Sequence, residues 1–379
     1  MGKRNILIVS LILLAFVSTA SIGISTAGNV TNIDTQEDFT KIQDAINDND
    51  TINGHTIAIC NDTYKENIDV TKSLTIRPVD GDNVLIIGKS SRRPAVRVKA
   101  NNVTITGINV SGPLEIPVVY SISIIFFTCG GIYIYEAHDC CINNCTIFKT
   151  DYGIELHKSD RNVISNNTIR TVFEEGIHIW SSFNNVVEYN NITDAKKTGI
   201  NVRRGPLERP KDNNLIRENT SHNNIGFGVW IDRSDGNIVT NNCIKYTHQN
   251  YKSRSRYPGC GVHFDNAKDN VLLNNSICNN TDNGLKLYYS VKSIAQGNHI
   301  SGNGRKGIVL SRETNANVTE NNVSYNNEDG IHLWYSTGTI THNIITGNLG
   351  LCINNTGSDG ATIEDNICTG NGITLETSN

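Results

Sequence analysis

Two aspartates at equivalent places in neighbouring segments are the first residues whose spacing suggests chemistry. Asp232 ends the stretch GVWID, which begins at Gly228, and Asp265 ends the stretch GVHFD, which begins at Gly261. If the two segments stack as adjacent strands, these carboxylates lie about 5 Å apart. Two carboxylates that close do not both ionise freely unless a cation intervenes. A shared proton, the neighbouring Arg203 or a bound calcium ion would satisfy them, and the roughly 5 to 5.5 Å spacing of retaining glycosidases also fits.

A second set of side chains combines acid–base groups with aromatic rings. Glu155, His157 and His178 are candidates for proton transfer, and Glu155 with His178 is the rival of the aspartate pair. Aromatic rings on an exposed sheet suit sugar rings, and basic side chains suit the carboxylate of a uronic acid. Outward aromatic residues also stabilise a sheet by cross-strand packing, which is the competing interpretation. The predicted substrate-binding residues are Arg203, Trp230, His263, Trp180, Lys286, Tyr288 and Trp334.

An internal repeat must position these residues. A glycine followed by alternating aliphatic residues recurs, mostly every 22 or 23 residues. Strand alternation sends the two residues that alternate with the aliphatics to the outside. The repeated segments begin at Gly131, Gly153, Gly176, Gly199, Gly228, Gly261, Gly284, Gly307, Gly330 and Gly350.

Asparagine marks the polar turn of each repeat. Stacked amides can bond each other in a ladder, and stacking buries an apolar face that no single repeat can bury alone. The pattern predicts an all-β fold, a right-handed parallel β-helix whose rungs contain three strands and about 23 residues. The predicted ladder residues are Asn144, Asn167, Asn191, Asn219, Asn242, Asn275, Asn298, Asn322, Asn343 and Asn366.

The N-terminus predicts export. Lys3 and Arg4 precede an apolar run that ends in small residues, which is typical of a secretory signal, with a retained anchor as the alternative. Removal of this segment takes two positive charges away, so the formal net charge goes from −4 to −6. An acidic exported chain does not favour nucleic acid as a partner. Ten cysteines suggest disulfides, and the predicted pairs are Cys243 with Cys260 and Cys352 with Cys368.

Less regular segments precede and interrupt the repeats. The helical spacing of Phe39, Ile42 and Ile46 predicts a capping helix with Asp34 or Thr35 as its N-cap. The predicted domain plan is a signal peptide at 1–27, the cap helix and irregular rungs at 28–110, an apolar insertion at 111–130, and regular repeats at 131–379 with inserted loops at 205–212 and 246–259.

One outward face differs chemically from the others. All three tryptophans lie in its two columns, and both inserted loops leave the repeats nearby. The first column reads Tyr133, Glu155, His178, Asn201, Trp230, His263, Lys286, Val309, His332 and Cys352. The second reads Tyr135, His157, Trp180, Arg203, Asp232, Asp265, Tyr288, Ser311, Trp334 and Asn354. The predicted centre of the site is Arg203, Trp230, Asp232, His263 and Asp265.

The repeats resemble a known family. Glycine–aliphatic strands with asparagine turns, behind the stretch TYKENIDVTKSLTIRP, are similar to the NosD-like right-handed β-helix repeats of the carbohydrate-binding and sugar-hydrolase class. YGIELH, from Tyr152 to His157, resembles a signature of mannuronan C5-epimerases, which implies that Glu155 and His157 take its acidic and histidine positions. The family also has copper-accessory members. Met1 is the only methionine, so a thioether copper site is excluded and histidine ligation is not.

Two functions remain open on the sequence. The first is an exported cell-surface β-helix protein that binds an acidic polysaccharide and, if it is an enzyme, acts as a lyase, epimerase or glycosidase. Calcium at Asp232 and Asp265 is the candidate cofactor. The second is a non-catalytic structural envelope or surface-layer glycoprotein, which the many glycosylation sequons favour. In either case, the apolar stretch at 116–127 is a candidate surface for a protein partner.

Overall fold

The repeats wind into a solenoid of three sheets. The computed structural model describes residues 29–90, 92–113, 130–205, 211–249 and 258–372. Within these ranges the chain forms one short helix and 40 strands of three to six residues each. Each turn of the chain, called a rung, contributes one strand to each sheet. Among the described residues, no helix is both long and apolar enough to cross a membrane.

The sheets are numbered in the order in which each regular rung enters them. Sheet 1 contains Ile68–Val70, Val96–Val98, Ile132–Tyr135, Ile154–His157, Glu175–Trp180, Thr198–Arg203, Phe227–Asp232, Cys260–Asp265, Leu285–Tyr288, Ile308–Ser311, Ile331–Trp334 and Ile353–Thr356. Sheet 2 contains Val30–Asn32, Glu37–Phe39, Thr56–Ile59, Thr75–Pro78, Thr104–Thr106, Cys141–Asn143, Val163–Ser165, Val186–Glu188, Leu215–Arg217, Ile238–Thr240, Val271–Leu273, Ile294–Gln296, Ala316–Thr319, Gly338–Thr341 and Ala361–Glu364. Sheet 3 contains Thr63–Lys65, Leu85–Ile87, Asn109–Ser111, Thr146–Phe148, Thr168–Arg170, Asn191–Thr193, Thr220–His222, Cys243–Lys245, Ser276–Cys278, His299–Ser301, Asn322–Ser324, Ile344–Thr346 and Ile367–Thr369.

Neighbouring rungs pair in parallel and in register. In sheet 1, for example, Ile154 pairs with Ile177, which pairs in turn with Ile200. The first two strands are the exceptions among the described strands, because Val30–Asn32 pairs antiparallel with both Glu37–Phe39 and Thr56–Ile59. The predicted parallel β-helix is therefore confirmed.

Aliphatic side chains fill the interior of the solenoid. A regular rung directs two of them inward from sheet 1 and one each from sheets 2 and 3, as do Ile177, Ile179, Val187 and Ile192, which are fully buried. Burial of each such side chain contributes roughly 1.5–3 kcal/mol to folding. Because the rungs are in register, these side chains form one continuous core along the stack.

Asparagine ladders close the corners between the sheets. At the corner between sheets 2 and 3, the backbone N–H and the side-chain amide of Asn167 both donate to Oδ1 of Asn190 at 3.0 Å. Asn190 donates to Asn219 in the same way. The ladder was predicted, but three of its positions were wrong by one residue. Asn144, Asn191 and Asn322 point outward, and the ladder passes instead through Cys145, Asn190 and Asn321.

The N-terminal helix, Ile42–Asn47, begins later than predicted. Its N-cap residue is Lys41, which makes no side-chain capping bond, so the prediction of Asp34 or Thr35 was wrong. The carboxylate of Glu66 instead accepts hydrogen bonds of 3.1 Å from the first two helical N–H groups. A carboxylate at this end also interacts favourably with the helix dipole. The helix packs against the first strands, and its role as a lid stays a prediction.

One of the two predicted disulfides forms. Cys352 is bonded to Cys368, as predicted. Cys243 and Cys260 are free thiols, so that prediction was wrong. The reason is geometric, because Cys243 begins a strand of sheet 3 and Cys260 lies buried at the start of a strand of sheet 1. The predicted signal segment, the apolar stretch 116–127 and the middle of both inserted loops lie outside the described residues.

Candidate functional site

The outward columns of sheet 1 are the framework of the candidate site. Strand register places Glu155 beside His178 and Asp232 beside Asp265, in the predicted columns. The last rung differs, because His332 pairs with Asn354 and the second column ends at Thr356. The prediction for that rung was wrong by two residues. Cys352 takes the place that glycine has in the other rungs, where its carbonyl oxygen accepts a hydrogen bond from Ile331.

A buried polar cluster lies low on this face. Nδ1 of His178 is 3.7 Å from Oε1 of Glu155 and 3.7 Å from Oε2 of Glu175. Asn201 donates a 2.8 Å hydrogen bond to the other oxygen of Glu175. Although Glu155 and His178 occupy outward columns, they are only 5% and 9% exposed. The rings of Tyr152 and Trp180 stack beside His178 and help to cover it. The predicted acid–base pair is thus assembled but shielded from solvent.

Burial sets the protonation states of this cluster. It raises the pKa of Glu175 to about 8 and lowers the pKa of His178 to about 3. Both groups are therefore neutral in the folded protein near pH 7. The neutral carboxyl group of Glu175 can donate a proton, and the neutral imidazole of His178 can accept one. These two residues therefore have acid–base capacity, but their burial keeps a polymeric substrate from reaching them.

Stability should fall as the pH rises from 6.5 to 8, and we expect Glu175→Gln to reduce this fall. Above about pH 4.5 an unfolded chain has released the proton that Glu175 keeps when folded, so rising pH favours unfolding until about pH 8. His178 acts in the opposite sense between about pH 3 and 6.5. Burial raises the pKa of Glu313 to about 7, so Glu313 adds to the fall, and the difference between wild type and Glu175→Gln isolates the Glu175 effect.

The measurement is urea unfolding of wild type and Glu175→Gln at several pH values. The stability of the wild type relative to the variant should decline between pH 6.5 and 8. A difference that stays constant across this range would contradict the neutral form of Glu175.

Arginines hold one aspartate of the pair, Asp232. Arg203 Nε lies 3.0 Å from Oδ2 of Asp232, and Arg233 makes two 3.0 Å hydrogen bonds to the same carboxylate. Asp265 is less tightly engaged, and burial together with the charge of Asp232 raises its pKa. Of the predicted alternatives, the arginine fits. Because both oxygens of Asp232 already accept guanidinium N–H groups, the residues present do not fit a calcium ion between the two aspartates.

The aromatic residues near this pair pack on each other. The ring centroid of Trp230 is 4.9 Å from that of Phe227, which in turn stacks on His263 at 5.1 Å. Burial, followed by the charge of Lys286, lowers the pKa of His263 to about 3. Lower on the sheet, His157 stacks on Trp180 with a centroid distance of 4.3 Å. These contacts are the cross-strand packing of the architectural interpretation.

An open cleft lies higher on sheet 1 than the predicted centre. Its volume is about 430 Å³. Three predicted substrate-binding residues, Lys286, Tyr288 and Trp334, line it together. Trp334 is the one tryptophan of the three that is exposed, at 39%. The full lining is Asn283, Lys286, Tyr288, Arg305, Lys306, Val309, Ser311, His332, Trp334 and Thr356.

The charges around the cleft are unevenly neutralised. Arg305 and Lys306 both pair with Glu328. His332 Nδ1 lies 3.0 Å from Oδ2 of Asp329. Lys286 Nζ lies over the ring of Tyr288 at 4.9 Å. Within the described part of the chain it makes no direct ion pair, and the charges of Asp265 and Asp282 act on it from a longer distance. The cleft therefore combines an available ammonium group with two aromatic faces.

Several residues of this face were missed by sequence reasoning. Glu175 and Phe227 lie one place before the repeated glycine, and strand register aligns that place from rung to rung. A third outward column, formed by the residue before each repeated glycine, would have identified Glu175 and Phe227. Arg233 follows its strand in a left-handed conformation, which turns its side chain back to Asp232. Only the short distance in sequence could have indicated that contact.

The roots of the inserted loops flank the face at opposite edges. The first loop leaves sheet 1 after strand Thr198–Arg203, and the second enters sheet 1 before strand Cys260–Asp265. Arg204, at the start of the first loop, holds the two ends of this loop in place through hydrogen bonds to Asp212 at 3.3 Å and to Asp235 at 3.0 Å. The described ends of both loops therefore lie beside sheet 1, and the flanking of the site by the loops stays a prediction.

Two known protein families match parts of this chain in sequence. The model of the family described as right handed beta helix region matches residues 49–206 and 94–251, which together span more than half of the chain. The model described as periplasmic copper-binding protein (NosD) matches residues 244–379.

Individual proteins are similar to this chain in sequence or in fold. A cell surface glycoprotein of Methanothermus fervidus is 30% identical over 272 residues, which cover 62% of this chain and 42% of that protein. The chain thus spans less than half the length of this relative. Two mutant forms of the periplasmic alginate epimerase AlgG are each 14% identical, with TM-scores of 0.56 and 0.54. Their likeness covers 83% and 85% of this chain and 85% of each of those chains, and it concerns the fold alone.

Copper does not fit the described residues of the matched segment. Among the described residues, one group of three histidine, cysteine or carboxylate side chains lies close enough to share an ion, namely Glu37, Asp48 and Asp50. This group is outside residues 244–379 and offers only oxygen ligands, whereas copper favours nitrogen and sulfur. The described residues of the matched segment therefore assemble no ligand set suited to copper.

Proposed function

The chain belongs to the right-handed β-helix family, and from that premise we propose that it is an exported cell-surface protein whose sheet 1 binds an acidic polysaccharide. The observation that carries the proposal is the cleft lined by Lys286, Tyr288 and Trp334. The likeness to a cell surface glycoprotein supports an extracellular or envelope location.

The cleft has the chemistry that an acidic sugar requires. The exposed ring of Trp334 offers an apolar face to a pyranose ring, and the N–H groups of Lys286 can bind a uronate carboxylate. The open, shallow shape suits a polymer that runs along the stack rather than a small enclosed ligand. Because neighbouring rungs are about 4.8 Å apart, successive outward residues offer a regular series of contacts.

Binding rather than turnover is the activity that this geometry supports best. Glu155 and His178 are buried, and the carboxylate of Asp232 is held by two guanidinium groups. Epimerase or lyase chemistry requires a base that reaches the sugar. Glu155 or His178 could serve only if the cover of the polar cluster opened, and the half-buried His157 and Asp265 are the predicted groups that stay accessible. We therefore propose a glycan-binding surface protein, for which Lys286, Tyr288 and Trp334 are the primary contacts.

Substitution of Trp334 by alanine should weaken binding of oligouronates by about tenfold, which corresponds to the loss of one aromatic contact. The experiment titrates oligouronates of defined length against the purified protein by calorimetry. Tyr325→Ala is the matched control, because this tyrosine is 67% exposed and follows a strand of sheet 3. The control should bind like the wild type. If no acidic glycan binds the wild type, the architectural interpretation is the better one.

A further inference from the structure

Arg312 stacks on two aromatic rings beside the cleft, and sequence reasoning did not single out this arginine. It directly follows strand Ile308–Ser311 and is exposed. Its guanidinium carbon lies 5.0 Å from the ring centroid of Tyr289 and 5.4 Å from that of Trp334. Trp334 also lines the cleft, so Arg312 and the cleft share one aromatic ring.

No carboxylate of the described residues neutralises the charge of Arg312. Arg203 and Arg233 both pair with Asp232, and Arg305 pairs with Glu328. Within the described part of the chain, by contrast, Arg312 makes cation–π contacts and no ion pair. A guanidinium group stacked on rings keeps the N–H groups in its plane available to a ligand.

We propose that Arg312, held on Tyr289 and Trp334, binds an anionic substituent of the polysaccharide, either a carboxylate or a sulfate. The neighbouring sugar of the same chain would lie on Trp334 in the cleft. This inference rests on the proposed function, and it adds a second anion subsite to the one at Lys286. A planar guanidinium can bind either group through two parallel hydrogen bonds.

Two features make Arg312 suited to this role. The rings already restrict its side chain, so less conformational freedom is lost when the anion binds. The shared Trp334 ring fixes the position of Arg312 relative to the cleft. The two subsites therefore form a continuous surface that can discriminate a charged polymer from a neutral one.

The test compares three ligands and three variants by calorimetry. The ligands are an oligouronate, its carboxyl-reduced neutral counterpart and a sulfated neutral oligosaccharide. The variants are Arg312→Gln, Arg312→Lys and the matched control Arg170→Gln. Arg170 is an exposed arginine that stacks on Phe148 at 4.8 Å, but it lies on sheet 3.

We expect Arg312→Gln to weaken binding of the anionic ligand by about tenfold, in keeping with the loss of a charge-assisted hydrogen bond, and to leave binding of the neutral counterpart unchanged. Arg312→Lys should recover part of the loss, and Arg170→Gln should lose nothing. Whether the uronate or the sulfated ligand is the one affected identifies the anion. If the wild type binds the anionic ligands and Arg312→Gln binds them equally well, the inference is overturned while the proposed function stands. If the wild type binds none of the three ligands, both fail.

Discussion

Replacement of Asn190 by alanine is expected to lower the free energy of unfolding by about 3 kcal/mol, because it leaves several buried polar groups without partners. Oδ1 of Asn190 accepts hydrogen bonds from the backbone and side chain of Asn167. Its side-chain amide donates to the carbonyl of Ile164 at 2.8 Å and to Asn219 at 3.0 Å. These groups are buried, so the backbone N–H of Asn167 and the carbonyl of Ile164 would lose partners that water cannot replace. Oδ1 of Asn219 would keep its bond from the backbone N–H of residue 190.

The neighbouring residue supplies the control. Asn191 is exposed and outside the ladder, so Asn191→Ala should change stability by less than about 0.5 kcal/mol. Urea unfolding of both variants, followed by circular dichroism, measures the two values. Equal losses for Asn190→Ala and Asn191→Ala would contradict the register of the ladder.

Replacement of Gly131 by alanine is expected to destabilise the fold by about 3 kcal/mol, at the upper end of the usual cost of overpacking. A Cβ atom at this place would lie 2.6 Å from the carbonyl oxygen of Gly153 and would overlap the side chain of Ile147. The carbonyl directly precedes strand Ile154–His157 of the next rung and accepts a 3.1 Å hydrogen bond from the N–H of Ile132, so it cannot move without disturbing this bond. The same close approach recurs in each rung from Gly153 to Gly330, which explains why glycine begins these segments.

The adjacent Gly130 is the matched control for this substitution. A Cβ atom there would meet only Pro94, at an ordinary contact distance of 3.7 Å. Gly130→Ala should therefore be tolerated, and the melting temperatures of the two variants should differ clearly. A Gly131→Ala protein as stable as Gly130→Ala would refute the steric explanation of the repeat.

The fold follows from the sequence because one period governs both the core and the outward columns. A strand that directs Ile177 and Ile179 inward must direct His178 and Trp180 outward, and stacking aligns each with its equivalent in the next rung. The ladder was harder to assign. Asn190 and Asn191 are adjacent asparagines, and only the backbone path decides which of the two faces the corner.

The site was less predictable, since an outward direction does not determine exposure. Glu155 and His178 lie in outward columns, but neighbouring side chains on the same sheet cover them. The hydrogen bonding of Asp232 depends on Arg233. The side chain of Arg233 reaches Asp232 because its own backbone is left-handed, which the sequence does not indicate. The cleft around Trp334 arises from the sizes of side chains on several rungs, which periodicity does not encode.

A crystal structure of the protein with a bound uronic acid hexasaccharide tests the central claim most directly. We predict sugar density along sheet 1, with one ring against Trp334 and carboxylates within hydrogen-bond distance of Lys286 and Arg312. Density on sheet 2 or sheet 3, or none on sheet 1 at saturating concentrations of the sugar, would contradict the proposal that this face binds an acidic polysaccharide.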